Sequence, residues 1–385
     1  MNTKILRVVV IIQDYYPRLG GAQRQVAEQA PLLKQLGVEI TVLTRRYAGL
    51  KPFEQVDGVP VYRLPIPGSK PVAAITFILA GVWKIIRLRP DLIHAQELLS
   101  PSSTAVLARW LTGIPVVAKV LRGGRLGDME KIASGKFGWF RVPFVCNNID
   151  GFAVISREID SELAGVGVPA SNRFPLTNGV DTERFAPLPA SAKLELRRHL
   201  GLPLDGLLTV YAGRFEPEKR IDQVIRLWPD IHEKHPNARL LLLGSGKQEE
   251  ALRKMAGDAV DFIGQVDDVV PYLQAADLFL LPSSTEGLSN SMLEALSCGL
   301  PVIATTVGGA EDVLIHNHSG WLIPPDAPEQ IRAALWRILD DEPLRAQLGK
   351  NARQKMVDEY ALPVIVKKVR SMYDEILARR SRNKK

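Results

Sequence analysis

Two glutamates in the second half of the sequence have types and spacing that suit the binding of a polar ligand. Glu286 and Glu294 are separated by seven residues, in a segment that begins after the apolar run 278–281 and ends at Pro301. The pattern predicts a helix that begins near Ser289-Asn290. Glu286 would then lie in the loop before this helix, and Glu294 one turn into it.

The beginning of this helix also predicts an anion site. The backbone N–H groups of Gly287, Leu288 and Ser289 would point at an anion held there, assisted by the helix dipole. Two carboxylates beside such a site would repel a phosphate, so we expect them to accept hydrogen bonds from hydroxyl groups. Glu286 would bind a sugar and Glu294 a ribose. The structural alternative makes Glu286 an N-cap-type residue and Glu294 a solvated helix charge.

Two cations follow the predicted strand 207–212. After Gly213, Arg214 and Lys219 lie five residues apart in a loop. Arginine offers a two-pronged donor and lysine a point charge, and together they suit a diphosphate. In the structural alternative, Arg214 and Lys219 are loop residues exposed to solvent and bind no ligand. The position of this pair at the carboxyl end of the domain's first strand favours the functional interpretation.

Two glycine pairs also follow predicted strands. Gly20-Gly21 comes after the first strand and before a helix, and Gly244 and Gly246 follow the strand 239–243. Such turns allow close backbone approach to a phosphate, but both pairs lack the complete Gly-x-Gly-x-x-Gly spacing. Turn formation alone is the alternative for both. A dehydrogenase would need the full turn and a following acidic ribose-binding residue, and we find neither.

One histidine is placed where it could contact a ligand. His94 ends the predicted strand 91–94, so it is a candidate contact to an acceptor or a sugar, although a lone histidine is more often structural. The two cysteines, Cys146 and Cys298, lack metal-ligand spacing. We therefore expect no metal site, no disulfide framework and a reducing compartment.

The composition is that of a globular protein. Of its 385 residues, 46% are apolar and 24% are charged. A length of 385 residues predicts two domains. The opening apolar run 5–12 stops at Gln13-Asp14 and lacks a cleavage site, so we expect no signal peptide. The longest apolar stretch, Val72–Trp83, is shorter than the ~20 residues that span a bilayer. A soluble or surface-bound protein is predicted.

The formal charge of +7 is unevenly distributed. Residues 1–185 carry +8, residues 186–360 carry −7 and residues 361–385 carry +6. This asymmetry predicts that the N-terminal half meets an anionic surface or substrate. The charge alone does not distinguish nucleic acid from a membrane.

Short β-branched runs alternate with helical patterns along the whole chain, which predicts an α/β protein with parallel sheets. The predicted strands are 5–12, 39–44, 59–64, 91–94, 116–120 and 151–155, then 207–212, 239–243, 260–263, 278–281 and 301–304. The predicted helices are 23–36, 72–88, 221–232, 247–256, 269–275, 290–298, 328–339, 344–360 and 364–379.

Two such series predict two doubly wound, Rossmann-like domains. We assign residues 1–186 to an acceptor-side domain and residues 187–360 to a donor domain, with Pro187 and Pro189 in the linker. Residues 361–385 form a basic final helix and tail, which we expect to return to the basic first domain. Because ligands of open α/β sheets bind at the carboxyl ends of the strands, we expect a cleft between the domains there.

The sequence resembles glycosyltransferases of the GT-B fold, in the large retaining family 4 group. Glu286 and Glu294 match the Glu-x7-Glu motif of that family, and the resemblance covers almost the whole chain. Further matching segments are Gly20-Gly21, Asp91–His94, Asn178–Asp181 with Phe185, Gly213-Arg214 with Lys219, Gly244–Gly246, Val260–Gly264, Gly299–Ile303, Val307–Gly309 with Glu311, and Gly320–Pro324.

The resemblance implies transfer of a sugar from a UDP- or GDP-linked donor, with retention at the anomeric carbon and without a metal or other cofactor. Arg214 and Lys219 would neutralise the leaving diphosphate in place of a metal ion. Glu286 would hold the donor sugar and Glu294 the ribose, while Gly20-Gly21 approaches the phosphates. Same-face attack by the acceptor requires no protein nucleophile, and none is obvious in the sequence.

The sequence departs from the family at one place. Many relatives carry a histidine after the strand that corresponds to 116–120, whereas this chain has a basic, glycine-rich stretch that includes Arg122 and ends at Asp128. Backbone groups or Arg122 would take over its role, and Asp128 is a further candidate for acceptor or sugar binding. The alternative is a catalytically silent GT-B protein that binds nucleotide sugar or partners.

Residues 119–141 combine six basic residues with Phe137, Trp139 and Phe140. This mixture suits an anionic membrane surface, and no nucleic-acid motif accompanies it. A solvated face with three core aromatics is the alternative. Together with the basic tail, the segment predicts a lipid-linked or glycan acceptor in envelope or polysaccharide biosynthesis. It also predicts a cytoplasmic enzyme, peripheral at the inner face of the membrane.

Overall fold

The computed structural model describes residues 5–124, 127–135 and 138–382, and these divide into two compact units. Unit 1 runs to Asn178 and also includes the segment that begins at Leu362, whereas unit 2 is Gly179–Ala361. The division at 178/179 precedes the prolines that the sequence places in the linker, so Pro187 and Pro189 belong to unit 2.

Within the described part of unit 1, the strands form an eight-stranded sheet in the order β3-β4-β2-β1-β5-β6-β7-β8. All neighbours are parallel except β3, which pairs antiparallel with β4 at the edge. The strands are β1 (Leu6–Ile11), β2 (Val38–Arg45), β3 (Phe53–Val56), β4 (Val59–Leu64), β5 (Leu92–Gln96), β6 (Val116–Lys119), β7 (Gly151–Val154) and β8 (Arg173–Pro175).

The helices of unit 1 lie between these strands, as expected for parallel crossovers. They are α1 (Gly21–Gln35), α2 (Lys70–Leu88), α3 (Ser100–Thr112), α4 (Asp128–Ala133), α5 (Gly138–Asn147) and α6 (Arg157–Gly165), and the chain ends in α15 (Leu362–Arg382). Helix α15 packs into the core of unit 1, where Val369 and Ile376 join Val8 of β1 and Leu33 of α1. The predicted return of the last helix to the first domain is confirmed.

Unit 2 contains a six-stranded parallel sheet, counted over its described residues, in the order β11-β10-β9-β12-β13-β14. Its strands are β9 (Leu208–Ala212), β10 (Arg239–Leu243), β11 (Val260–Gly264), β12 (Leu278–Leu281), β13 (Val302–Thr305) and β14 (Trp321–Ile323). The chain begins this sheet at β9 in the middle, extends it to one side and then resumes with β12 on the other. The strand order therefore reverses between β9 and β12, and such a switch point leaves a crevice at the carboxyl ends of the strands.

The helices of unit 2 pack on this sheet through apolar faces, as in α8, which buries Val224, Trp228 and Ile231. They are α7 (Ala190–His199), α8 (Ile221–Lys234), α9 (Glu249–Met255), α10 (Val270–Ala275), α11 (Asn290–Ser297), α12 (Ala310–Val313), α13 (Pro328–Asp340) and α14 (Glu342–Lys355). The helix predicted over 344–360 is interrupted, because a π-helical turn, Met356–Tyr360, follows α14.

Helix α2 is longer than the apolar stretch that predicts it. It has 19 residues, and among the helices of the described residues it alone has the length and composition that could cross a membrane. Only 22% of its apolar window is buried in the structure. Its buried residues, Phe77, Gly81, Val82 and Ile85, form one face of the helix.

Candidate active site

The predicted donor residues of unit 2 lie on loops at its switch point. Strands β9 and β12 are direct parallel neighbours, with Leu278 opposite Thr209. The loop after β9 carries Arg214 and Lys219, and the loop after β12 carries Glu286. The two loops are also joined directly, since the backbone N–H of Ser284 donates to the carbonyl of Glu218 at 2.8 Å.

Lys219 and Glu286 are the central pair of this site. The ammonium group of Lys219 donates to Oε1 of Glu286, and both side chains are buried. The hydroxyl of Ser283 donates to the same carboxylate oxygen at 2.9 Å. The sequence assigns these two charges to separate parts of a ligand, whereas the structure brings them together in a buried, hydrogen-bonded ion pair.

Helix α11 begins where the sequence predicts. Ser289 is its N-cap, and its hydroxyl accepts from the backbone N–H of Met292 at 3.3 Å. Glu286 therefore does not cap this helix and lies in the preceding loop with Gly287 and Leu288. Glu294 lies one turn into α11 and is buried, so it is not a solvated helix charge.

Arg214 differs from Lys219 in its exposure. Its side chain is 65% exposed, and its guanidinium lies 3.7 Å from a carboxylate oxygen of Glu218. The backbone position is fixed, because the hydroxyl of Tyr211 donates to the carbonyl of Arg214 at 3.0 Å. The site thus combines a buried, fixed ammonium with an exposed guanidinium that can reorient toward an anion.

Gly244, which follows β10, is required by close packing against the backbone of the loop after β9. The N–H of Gly213 donates to the carbonyl of Leu243 at 2.9 Å. Gly244 has φ +129°, and a Cβ atom there would lie 1.9 Å from the carbonyl oxygen of Gly213. No side chain fits at Gly244, so this glycine allows the backbones of the two loops to lie against each other.

A second close approach supports the loop of Glu286. Gly308 has φ +55°, and a Cβ atom there would lie 2.3 Å from the carbonyl oxygen of Gly287. The N–H of Gly309 donates to that same carbonyl at 2.7 Å. The segment after β13 therefore holds the loop that carries Glu286 and Gly287, which explains why glycines are needed there.

In unit 1, the glycine turn lies where the sequence predicts, after β1 and before a helix. Helix α1 begins at Gly21, with Gly20 as its N-cap. The N–H of Gly20 donates to the side-chain oxygen of Gln23 at 2.9 Å. This N–H is thus already used within the helix end, and a phosphate at this turn would have to compete for it.

The prediction that His94 ends its strand is wrong. Strand β5 continues to Gln96, and His94 is buried, with Nδ1 hydrogen-bonded at 2.7 Å to the hydroxyl of Tyr373 in α15. Burial, together with the charge of nearby Lys119, lowers the pKa of His94 to about 3. The structure therefore places His94 among the core contacts between β5 and α15, as in the structural alternative.

Asp128 and Arg122 lie at the two ends of the stretch that departs from the family. Asp128 is buried, its Oδ2 accepts from the N–H of Leu121 at 3.2 Å, and its own N–H donates to the carbonyl of Arg122 at 3.0 Å. Burial raises the pKa of this carboxyl group. Asp128 thus joins the end of this stretch to Leu121 and Arg122 through hydrogen bonds. Arg125, in the same stretch, lies outside the described residues.

Glu97 is a polar group at the strand ends of unit 1 that the sequence analysis does not single out. It follows β5 directly, with φ +93°, and its Oε2 accepts from the side-chain amide of Gln13 at 2.7 Å. Burial, with the nearby charges of Asp128 and Asp14, raises its pKa to about 7. Its position immediately after a strand was the available signal, but the sequence pattern predicts that this strand ends at residue 94, two residues before its end in the structure.

The basic and aromatic segment 119–141 contains both exposed and buried residues. Trp139 is 80% exposed and Phe140 is also exposed, so the alternative in which the aromatics are core residues is wrong for these two. Lys119 is instead buried, and its ammonium group donates to Asn178 at 2.8 Å. Phe137 lies outside the described residues.

The two cysteines, Cys146 and Cys298, are free and buried. In the described ranges 5–124, 127–135 and 138–382, the structure brings together no group of three or more His, Cys, Asp and Glu side chains that could hold a metal ion.

Two family models match consecutive parts of the chain. Residues 20–179 match the model described as "Glycosyl transferase 4-like domain", and residues 192–355 match the model described as "Glycosyl transferases group 1". The chain belongs to the group 1 glycosyltransferases. Its activity is therefore that of a glycosyltransferase, as the resemblance in sequence implies.

Curated relatives extend along almost the whole of this glycosyltransferase. It is 32% identical to the GDP-mannose-dependent monoacylated alpha-(1-6)-phosphatidylinositol monomannoside mannosyltransferase of Corynebacterium glutamicum, over 93% of this chain and 95% of the relative. It is 30% identical to the putative teichuronic acid biosynthesis glycosyltransferase TuaC of Bacillus subtilis, over 84% of this chain and 90% of the relative.

A solved structure supports the fold. The sucrose-phosphate synthase of Thermosynechococcus elongatus matches with a TM-score of 0.83 at 22% identity, over 97% of this glycosyltransferase and 99% of that chain. At this level of identity the match concerns the fold alone. The predicted GT-B fold, with two Rossmann-like units and a C-terminal helix that returns to the first, is confirmed.

Proposed function

We propose that this glycosyltransferase moves a sugar from a UDP- or GDP-linked donor to a lipid-linked or glycan acceptor, with retention and without a metal ion. The observation that carries the proposal is the buried Lys219–Glu286 pair at the switch point of unit 2. A cation fixed beside a carboxylate suits a ligand that carries a diphosphate next to hydroxyl groups.

Lys219 is suited to the charge that develops when the bond between sugar and diphosphate breaks. Its ammonium group has three donors, one of which is held by Glu286, and the others can reach phosphate oxygens. A fixed cation in a buried site stabilises developing negative charge more strongly than one in water. Arg214, which is exposed and able to reorient, would add a second cation once the donor is bound.

Glu286 is suited to hold a sugar rather than to attack it. Its Oε1 already accepts hydrogen bonds from Lys219 and Ser283, which lowers its reactivity as a nucleophile and fixes its orientation. Its remaining acceptor capacity can receive sugar hydroxyls. Retention would then follow from attack by the acceptor on the face that the diphosphate leaves, with a phosphate oxygen taking the acceptor's proton.

Glu294 is proposed to bind the ribose of the donor. It is buried in α11, eight residues after Glu286, so its carboxylate is held by the helix rather than by a loop. A buried carboxylate that faces a ribose would discriminate strongly against a ligand without the hydroxyl groups. Gly20-Gly21 and Arg122 remain candidate contacts from unit 1.

The acceptor class is proposed from the relatives and the charge pattern. One relative is named for a phosphatidylinositol mannoside and another for teichuronic acid biosynthesis. Both names include an acidic compound, a phosphatidylinositol in one and teichuronic acid in the other, and the basic N-terminal half suits acceptors that carry acidic groups or lie on an anionic membrane. A cytoplasmic enzyme at the inner face of the membrane fits these substrates.

The test is donor binding and slow donor hydrolysis across UDP-, GDP- and ADP-sugars, with EDTA present throughout. Wild type and Glu294→Ala are compared, with Glu250→Ala as the control because Glu250 is 84% exposed on α9. We expect one nucleotide class to be bound and hydrolysed, with at least a tenfold loss in Glu294→Ala and no change in the control. The proposal would be contradicted if wild type bound none of the donors, or if donor hydrolysis required added metal.

The second candidate is a catalytically silent protein that binds nucleotide sugar. The absence of the family's histidine from the stretch around Arg122 and Asp128 favours it. Tight donor binding without hydrolysis, and without transfer to any acceptor in an extract of envelope lipids and glycans, would support this candidate.

A further inference from the structure

Helix α2 carries an apolar face that unit 1 leaves uncovered. Val72, Ile75, Leu79, Trp83 and Ile86 follow one another at spacings of three and four residues and are between 42% and 60% exposed. That spacing places all five side chains on one side of the helix. We call them the outer face of α2.

The opposite side of α2 belongs to the core. Phe77, Val82 and Ile85 are buried, and Gly81 lies so close to α3 that a Cβ atom there would be 2.6 Å from Cγ2 of Thr104. A helix that crossed a bilayer would have to expose these residues and uncover the sheet beneath them. The length of α2 therefore does not make it a spanning segment, and its apolar outer face needs a different explanation.

The residues around the outer face are basic. Between residues 58 and 90 the sequence contains no Asp or Glu, and Lys84, Arg87 and Arg89 lie at the C-terminal end of the helix. The guanidinium of Arg87 lies 4.1 Å from the centre of the Trp83 ring, and the ammonium of Lys84 lies 3.7 Å from that of Tyr62. Basic and aromatic groups thus surround one end of the apolar stripe.

We propose that the outer face of α2 docks on the surface of an anionic lipid bilayer, with the helix lying parallel to that surface. The aliphatic side chains would enter the boundary of the acyl chains, and Trp83 would lie at headgroup depth, where its amphipathic ring is favoured. Arg87 and Arg89, which flank the outer face on its two sides, would contact anionic headgroups. Trp110 and Leu111, in the last turn of the neighbouring helix α3, are also exposed.

A second copy of this chain is a less suitable occupant. In a two-fold dimer the same surface meets itself, so the cations at the end of α2 would face those of the partner if the helices pair parallel, or Lys70 and the positive end of the helix dipole if they pair antiparallel. Like charges that meet without acidic partners cost binding energy, and this helix and its flanks supply none between residues 58 and 90. An anionic bilayer complements both the apolar stripe and the charges.

The test is sedimentation of the full chain with vesicles of phosphatidylcholine alone and of phosphatidylcholine with phosphatidylglycerol. Leu79→Gln removes an apolar contact and Arg87→Glu reverses a charge. Leu194→Gln is the matched control, since Leu194 is an exposed helical leucine of unit 2. We expect wild type and Leu194→Gln to bind anionic vesicles equally. We expect Leu79→Gln to bind at least fivefold more weakly and Arg87→Glu about tenfold more weakly.

Three results would overturn the docking proposal: no binding of wild type to anionic vesicles, undiminished binding by both variants, or a wild-type dimer that Leu79→Gln makes monomeric. Circular dichroism checks that each variant is folded. Because Leu79 and Arg87 are both exposed, we expect their substitution to leave the fold intact. The proposal rests on the membrane location given under the proposed function and names the helix that makes the contact, but its test is separate. Hydrolysis of a soluble donor is expected to be unchanged in both variants, and its absence in wild type would contradict the function without affecting the vesicle result.

Discussion

At the residue scale, the account depends on Lys219 and Glu286, two buried charges that satisfy each other. The sequence predicts both residues as ligands, but their pairing across 67 positions is set by the adjacency of β9 and β12 and could not be predicted from spacing. Glu294 was predictable, because Ser289 and the following apolar pattern indicate the helix that carries it. The strand that carries His94 was predicted two residues too short, and its contact with α15 could not be predicted from the local sequence.

The pairing predicts how stability responds to substitution. Lys219→Met leaves the Glu286 carboxylate buried without its cation, which typically costs about 3–5 kcal/mol. The double variant Lys219→Met/Glu286→Gln should recover most of this loss, since the uncompensated charge is gone, while donor hydrolysis remains lost in both. Urea unfolding and donor hydrolysis are measured on the same samples. A double variant no more stable than Lys219→Met would show that the charge pair is not the cause.

Glu97 predicts a pH dependence of stability. Burial raises its folded-state pKa from 4.5 to about 7, so the folded protein holds a proton that the unfolded chain releases. The stability that this group contributes is therefore complete below pH 4.5 and is lost as the pH rises to about 7, at about 1.4 kcal/mol per pKa unit. The stability of Glu97→Gln should match that of wild type near pH 4.5 and exceed it by about 3 kcal/mol at pH 8.

Urea midpoints between pH 4.5 and pH 8 measure this difference. The glutamine of Glu97→Gln keeps a side-chain oxygen that can accept the hydrogen bond from Gln13. The substitution therefore removes the charge and leaves this hydrogen bond possible. A difference that stays constant with pH, or has the opposite sign at pH 8, would contradict a buried carboxyl at Glu97.

At the element scale, the strand-end loops of unit 2 depend on glycines that no side chain can replace. Gly244→Ala would place a Cβ atom 1.9 Å from the carbonyl oxygen of Gly213, at φ +129°. We expect it to cost more than 2 kcal/mol and to weaken donor binding, since the loop that carries Arg214 must move. Gly257→Ala is the control, because a Cβ atom there meets nothing within 4 Å.

Thermal unfolding and donor titration distinguish the two variants. Gly257→Ala should differ from wild type by less than about 1 kcal/mol. Equal stability and donor affinity in Gly244→Ala and Gly257→Ala would contradict the close packing of these loops.

The elements themselves were largely predictable where the apolar runs are long and regular. Strands such as β10 and β12 were predicted to the residue, because buried parallel strands are nearly continuous apolar runs. β3 and β8 were missed because they are short and only partly buried, which leaves no apolar run to recognise. The π-helical turn after α14 depends on packing that the periodicity does not contain.

At the scale of the whole molecule, the alternation of strands and helices indicated two Rossmann-like units, and the basic character of the last helix indicated its return to the first. The strand order was not available from the sequence, nor was the antiparallel edge strand β3. The outer face of α2 was missed for a physical reason. An apolar run predicts burial of all its residues, and only the fold shows that one face has no cover.

The central claim is metal-independent transfer with retention, carried out by the site around Lys219 and Glu286. The most direct test is proton NMR of the sugar that wild type first releases by hydrolysis of its preferred α-linked donor, with EDTA present. The account predicts that the α anomer appears first and converts to the β anomer only by slow mutarotation. Initial release of the β anomer would contradict retention, and loss of hydrolysis in EDTA would contradict metal independence.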